Sequence, residues 1–225
     1  PISTGLTAAP VRRSGSFGTA GCFSFHPRKV ITTGEGGAIT TNDDALAARL
    51  RTLRSHGGVP AGAGALGMRF MDNGFNYRLP EISAALGLAQ LTRVEAILAD
   101  RRRSAAYYEE LLAKVAGVVV HRETPGTRWT YQSLVVTLDD GAANAPGARR
   151  GDIAAQMRAR GIETTLGNYA MHAHPAFARF VYKPGDLPVS WRLQQSTLTL
   201  PLLPRMEARD VERVVSTLAE VVDAV

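Results

Sequence analysis

The run Gly34-Glu35-Gly36-Gly37 is too rich in glycine to sit in a helix, and it follows a lysine that itself follows a short apolar strand, Gly21-Cys22-Phe23-Ser24-Phe25. A chain with this order must bend sharply on one side of Lys29 and run extended on the other. Lys29 is thereby held close to backbone on both sides, as a positioned amine must be. It is one of only three lysines, with Lys114 and Lys183, in a chain that otherwise takes its positive charge from arginine. The difference matters chemically. A partly desolvated lysine amine can lose its proton and add to an aldehyde as a Schiff base, whereas a guanidinium stays charged.

The full run, Ser24-Phe25-His26-Pro27-Arg28-Lys29-Val30-Ile31-Thr32-Thr33-Gly34-Glu35-Gly36-Gly37, resembles the lysine motif of the DegT/DnrJ/StrS family of pyridoxal-phosphate-dependent sugar aminotransferases. Members of that family typically read Ser-Phe-His, two residues, Lys, then Thr-Thr-Gly-Glu-Gly-Gly. A second stretch, Gly74-Phe75-Asn76-Tyr77-Arg78 followed by Leu79-Pro80-Glu81-Ile82 and an apolar run to Leu91, is similar to the family's Gly-x-Asn-Tyr-Arg segment and the helix after it. The two matches occur in the family's order. The resemblance implies an α/β, fold-type I chain related to aspartate aminotransferase, with residues 1–103 forming the later part of the cofactor-binding large domain and residues 104–225 a small C-terminal domain.

Composition narrows the alternatives. The 225 residues, 45% hydrophobic, suffice for a core in one large or two modest domains. No run of about twenty uncharged apolar residues is present, which argues against a membrane span, and the first residues lack the pattern of a secretory signal. Cys22 is the sole cysteine and fits a reducing compartment, so a cytoplasmic location is expected. The net charge of +6 and pI near 9.9 raise the question of nucleic acid. The arginines, however, spread along expected helices such as residues 47–54 and 101–103 rather than gathering with aromatics, and read as a solvated basic surface. A basic rim also suits a substrate carrying a diphosphate.

Periodicity supplies the outline. Residues 1–20 lack any acid and are broken by Gly, Pro and Ser, so they read as irregular backbone with at most a short strand. Residues 20–25 and 37–41 read as two buried strands flanking the lysine turn. Asn42-Asp43-Asp44 caps a helix that runs to about Ser55 and is stopped by Gly57-Gly58. Residues 59–67 read as a flexible loop. From Pro80, placed in the first turn, Ile82, Ala85, Leu86, Ala89, Leu91, Val94, Ile97 and Leu98 repeat at helical spacing, with continuation to Tyr108 and Leu112. Strands are expected over 115–121, 130–138 and 162–166, helices over 151–160 and 206–222, and a polar insertion or hairpin over 139–149.

The resemblance also implies roles. Lys29 would form the Schiff base with pyridoxal phosphate and then move protons once freed. Ser24 would hydrogen-bond the cofactor phosphate, as a hydroxyl donor can; a plain strand position is the other reading. Asn76 would reach across a homodimer interface to the phosphate in the partner, or else act as a left-handed turn residue. Arg78 either pairs with a substrate carboxylate or braces its turn, and Tyr77 reads as packing. His26 is a candidate substrate contact, as is His172 in the loop 169–177. His172 and His174, one residue apart in a strand, would also suit a metal, but no nearby acid or cysteine completes a set, and no metal is expected. Gly34-Glu35-Gly36-Gly37 lacks the Gly-Lys-Ser/Thr of a nucleotide P-loop, which excludes an ATPase reading.

The implied reaction transfers an amino group from glutamate or glutamine to a keto sugar, usually nucleotide-linked. Family dehydratases that use the same cofactor characteristically have histidine in place of the lysine, so Lys29 argues against that branch. In the family an aspartate roughly thirty residues before the lysine pairs with the pyridine nitrogen. No acid precedes Glu35 here. The sequence thus matches the later half of the family's length, and the competing reading is a truncated, non-catalytic remnant or dimerisation partner of an intact aminotransferase.

Overall fold

The computed structural model describes residues 12–139, 146–180 and 182–224. The chain forms two compact units, Pro1–Val94 and Glu95–Val225. In the first, β1 (Gly21–Ser24) and β2 (Gly37–Thr40) pair antiparallel with Ser24 opposite Gly37. The sequence pattern predicts both strands buried, yet apart from Gly21 they are exposed or half-buried. The reason is architectural: among the described residues they make a two-stranded ribbon and join no larger sheet.

Helix α1 (Asp44–Arg54) begins where the sequence places it. The Asp43 side chain caps it by accepting a hydrogen bond from the Leu46 amide at 2.9 Å, with Asp44 in the first turn and Arg51 and Arg54 in the last, each sign matched to the helix dipole. Past Ser55 the chain turns through positive φ at His56 (61°) and Gly57 (73°). A Cβ on Gly57 would fall 1.8 Å from the Asp72 carbonyl oxygen, so this turn requires glycine. The expected loop over 59–67 is in part a hairpin. Gly58–Pro60 forms β3 and pairs antiparallel with β4 (Met68–Phe70), leaving residues 61–67 as the connection. Pro60 masks the strand in the sequence, but proline is tolerated on an edge of a two-stranded ribbon.

Helix α2 (Glu81–Leu91) starts one residue later than expected. Pro80 is its N-cap, with extended ψ of 145° and a carbonyl that accepts the Ala84 amide. The helix then ends rather than running on. The Arg93 amide donates to the Gln90 carbonyl, and the Thr92 hydroxyl to that of Ala89, three residues back in each case, which tightens the last turn and breaks the pattern. Ile82 on α2 is 88% exposed, and among the described residues of the first unit no large apolar side chain is buried.

In the second unit α3 (Val94–Leu112) leads to β5 (Val118–Val120) and β6 (Leu134–Leu138), then α4 (Pro146–Ala159), β7 (Thr165–Leu166), three short 3-10 turns, α5 (Pro188–Ser196), β8 (Thr197–Leu200) and α6 (Ala208–Ala224). The four strands form one antiparallel sheet in the order β5-β6-β8-β7. Leu134, Val136 and Leu138 alternate inward, with Leu134 and Val136 opposite Leu200 and Leu198 of β8 in register. Ala105, Tyr108 and Leu112 of α3, Ile153 and Met157 of α4, and Val211, Val214, Val215, Leu218, Val221 and Val222 of α6 complete the core. The α4 start at Pro146 takes in part of the expected polar insertion, and residues 140–145 lie outside the described residues, as do 1–11. Only Thr165–Leu166 of the expected 162–166 strand pairs. Helix α5 and strand β8 fall outside the elements that periodicity outlines, although Thr197-Leu198-Thr199-Leu200 carries a strand's alternation.

The arginine run on α3 corrects another expectation. Arg101 is only 9% exposed. Its Nε and Nη2 donate to the carbonyls of Tyr131 and Gln132, each at 2.7 Å, while Arg102 Nε donates to the Trp129 carbonyl at 3.0 Å. These cations satisfy the irregular backbone before β6 instead of facing water, because that segment has no strand partner for its carbonyls.

Two measurements check this core. Leu218→Ala, at a fully buried site, is expected to lower the unfolding free energy by about 2–5 kcal/mol, against ~0.5 kcal/mol or less for Ile82→Ala, by denaturant titration. Burial, with the Glu109 hydrogen bond second, pushes the Tyr131 phenol up to about 12. A raised folded pKa keeps its stabilisation below about pH 10 and loses it as pH rises toward 12. Absorbance titration at about 295 nm, where the phenolate absorbs, should therefore show late ionisation that Tyr131→Phe reduces by one tyrosine, burial also pushing the Tyr108 phenol up.

Candidate active site

Lys29 lies in a loop closed by the backbone of one residue. The Phe25 amide donates to the Gly36 carbonyl at 2.9 Å, and the Phe25 carbonyl accepts both the Thr33 amide at 3.0 Å and the Thr32 hydroxyl at 2.8 Å. The chain between must bulge outward, and Lys29 sits in that bulge, half-buried, its amide donating to the His26 carbonyl in a tight turn. Among the described residues no carboxylate pairs with Lys29. Its amine is thus not held in a salt bridge among the described residues.

Ser24 ends β1 at the base of this loop. Its hydroxyl oxygen accepts the His26 amide at 3.3 Å, and no acceptor for its own proton is found among the described residues. His26 Nδ1 accepts the Arg28 amide at 3.1 Å, so the ring is already engaged in shaping the turn, and contact with any further group falls to Nε2. The far side of the loop is built by glycine and threonine. Gly36 has φ of 151°, and a Cβ there would lie 2.5 Å from Thr33 Oγ1 and 2.8 Å from Leu79 Cδ1. Thr33 is buried and its hydroxyl donates to the Glu35 carbonyl.

Asn76 and Arg78 sit on the segment after β4. That segment takes the unfilled carbonyls at the end of α1: the Phe75 amide donates to Leu53 and the Tyr77 amide to Arg54, both at 2.9 Å, and Asn76 bridges Ser55. Asn76 is therefore in extended backbone and not in a left-handed turn, since its φ is not positive. Asn76 and Arg78 are both exposed, and no hydrogen bond or ion pair among the described residues joins either to Ser24, His26 or Lys29. Tyr77 is exposed and stacks on Phe75 with centroids 5.0 Å apart, which is packing at the surface rather than in a core.

His172 belongs to the second unit. It is 7% exposed and meets the Tyr182 ring edge-on at 6.5 Å. Met171–Ala173 and Pro175–Phe180 are 3-10 turns, so His172 and His174 do not lie in a strand that would give them a shared metal-binding face. No cluster of three or more His, Cys, Asp or Glu that could hold a metal occurs among the described residues, and no single helix there is long and apolar enough to cross a membrane.

The two motifs meet through helix α2. Leu79 covers Gly36, a Cβ on Gly87 would come 3.0 Å from Thr33 Cγ2, and the Gln90 carboxamide bonds the main chain of Thr32. A family profile described as the DegT/DnrJ/EryC1/StrS aminotransferase family matches residues 3–219. The chain belongs to that family. The family uses pyridoxal phosphate and has the fold-type I architecture. GDP-perosamine synthase of Caulobacter vibrioides is 37% identical over 93% of this chain and 54% of its own length. Streptococcus pneumoniae Spr1654, a putative sugar aminotransferase solved in its pyridoxal phosphate form, matches with a TM-score of 0.86 at 21% identity, over 95% of this chain and 54% of that one. Aminotransferase TlmJ of Streptoalloteichus hindustanus gives 0.82 at 27% identity over 95% and 54%. The chain thus spans about half the length of the relatives it matches.

Gln90 is the residue that sequence reasoning passed over. A signal was present: Ser83, Gly87 and Gln90 recur at i, i+4 and i+7 as the small or polar stripe of an otherwise apolar helix. Because Gly36 has both a positive φ and a filled space above it, Gly36→Ala is expected to cost about 1–3 kcal/mol and to lower the melting temperature, measured by calorimetry against the wild type.

Proposed function

We propose that this chain is the lysine-bearing part of a pyridoxal-phosphate-dependent aminotransferase that passes an amino group from glutamate or glutamine to a nucleotide-linked keto sugar. The observation that carries the reading is Lys29: a primary amine without an acid partner among the described residues, in a loop that leaves β1 at Ser24, whose hydroxyl proton has no acceptor among the described residues, and is closed at Phe25. A hydroxyl and the Asn76 carboxamide are the donor types a phosphate takes, and an amine is what an aldehyde takes, so the residues present fit the cofactor. When bound, pyridoxal phosphate supplies an electron-accepting ring on which the amino group is carried between donor and acceptor.

The residues then divide the work. Lys29 Nζ would hold the cofactor through its aldehyde and, when free of it, would carry a proton at the carbon that bears the transferred nitrogen. Ser24 and Asn76 orient the phosphate, Asn76 from the partner in a homodimer. His26, Arg78 and His172 contact substrate. On this reading residues 1–103 belong to the cofactor-binding domain and 104–225 to the small domain, in a cytoplasmic enzyme. The Caulobacter relative is named for a GDP-linked sugar, and that name together with the basic charge of this chain supports a diphosphate-bearing substrate.

Treatment of the purified chain with pyridoxal phosphate and borohydride, followed by peptide mass spectrometry, tests the reading. One equivalent of label confined to Lys29 is expected, abolished in Lys29→Ala, with Ser24→Ala needing about tenfold or more cofactor for half-labelling. Label spread over Lys29, Lys114 and Lys183 alike would contradict it.

A further inference from the structure

We propose that Gln90 is a positioning residue that holds the lysine loop, and through it Lys29, by acting as a substitute for a neighbouring strand. The inference rests on Lys29 being the cofactor-bearing amine. Its observations are separate from that reading. Thr32 lies three residues beyond Lys29, in a stretch with no strand or helix of its own. Its amide donates to Gln90 Oε1 at 3.0 Å and its carbonyl accepts from Gln90 Nε2, so both main-chain groups of one residue are taken by one side chain 58 residues away. A carboxamide places a donor and an acceptor side by side, as a backbone neighbour does; an aliphatic side chain offers neither and a carboxylate only acceptors.

The clamp is itself fixed at its root. Gln90 Nε2 also donates to the Leu86 carbonyl at 3.2 Å, one turn back on α2, which ties the amide to its own helix. Gly87 lets that helix lie against the loop, because a Cβ there would stand only 3.0 Å from Thr33 Cγ2. The Thr32 hydroxyl is spent as well, donating to the Phe25 carbonyl and accepting the Gly34 amide at 3.0 Å. Every polar group of Thr32 is therefore assigned, and the loop has one orientation relative to α2. Removing the carboxamide strips two partners from half-buried backbone and releases the loop close to Lys29.

The test compares wild type, Q90L and Q90E by amide hydrogen exchange and by reductive labelling with pyridoxal phosphate and borohydride. In Q90L, exchange of the peptide covering residues 30–34 should rise about tenfold or more, while α6 amides stay as in wild type, and labelling of Lys29 at fixed pyridoxal phosphate should fall about tenfold. Q90E supplies the rescue. A protonated carboxyl donates and accepts like the amide, whereas the carboxylate still accepts the Thr32 amide but sets its second oxygen against the Thr32 carbonyl, so protection of 30–34, corrected for intrinsic rates, should stand near wild type at acid pH and fall as the introduced carboxyl ionises, with wild type flat over the same range. A Q90E profile as flat as wild type overturns the proposal, as does a Q90L loop that exchanges at the wild-type rate. Faster exchange with undiminished labelling of Lys29 overturns it too. Faster loop exchange in a protein whose wild type shows no label confined to Lys29 upholds the clamp and removes the role assigned to Lys29, so the two readings fail separately.

Discussion

The backbone of Phe25 is where the first unit's chemistry is decided. Its amide and carbonyl close the chain onto Gly36 and Thr33, and the residues between have nowhere to go but outward. Lys29 occupies that bulge. The register of β1 with β2, which sets Ser24 opposite Gly37, brings the two ends of the loop to the closing residue. Helix α2 then presses on the same loop through Gly87 and Gln90, and Leu79 fills the space above Gly36. A reactive amine needs its backbone placed before its side chain can be aimed, and here backbone bonds do most of that placing.

The second unit solves a different problem. It contains the whole apolar core found among the described residues, a four-stranded antiparallel sheet covered by amphipathic helices, of which α6 contributes six buried side chains. Its polar interior is handled with side chains that reach main-chain carbonyls. Arg101 and Arg102 cap carbonyls of the irregular segment before β6, and the Tyr108 hydroxyl donates to the Pro201 carbonyl at 2.8 Å. Basic residues that a charge count assigns to the surface thus become part of the packing, since five guanidinium donors in a fixed fork suit adjacent carbonyls better than any neutral side chain.

The contrast between the units follows from their contacts. Strand pairs in the first are ribbons of three or four residues, and apolar side chains such as Phe70 on β4 and Ile82 and Leu88 on α2 are exposed, whereas the second buries a continuous face. Local order in the first unit depends on turns that only glycine can make, at Gly36 and Gly57, and on side chains that substitute for missing backbone partners, as Asp43 does for α1 and Gln90 for Thr32. Order in the second comes from area removed from water.

What the sequence determined by itself was whatever is encoded locally. The lysine motif, the cap at Asp43, the stop at Gly57-Gly58 and the amphipathic pattern of α6 are short-range signals, and each was legible because the physical cause lies within a few residues of the effect. The family was legible for the same reason, from two contiguous motifs. Tertiary structure decided the rest: that Pro60 lies in a hairpin, that Thr197–Leu200 is a central strand, that Arg101 is buried, that the expected buried strands form an open ribbon, and that Asn76 is extended. In every one of these the deciding partner lies outside the local window from which a pattern is read. Gln90 is the clearest case. Its residue type and helical spacing are written in the chain, but the main chain it holds lies 58 positions away, and only folding brings the two within hydrogen-bond distance.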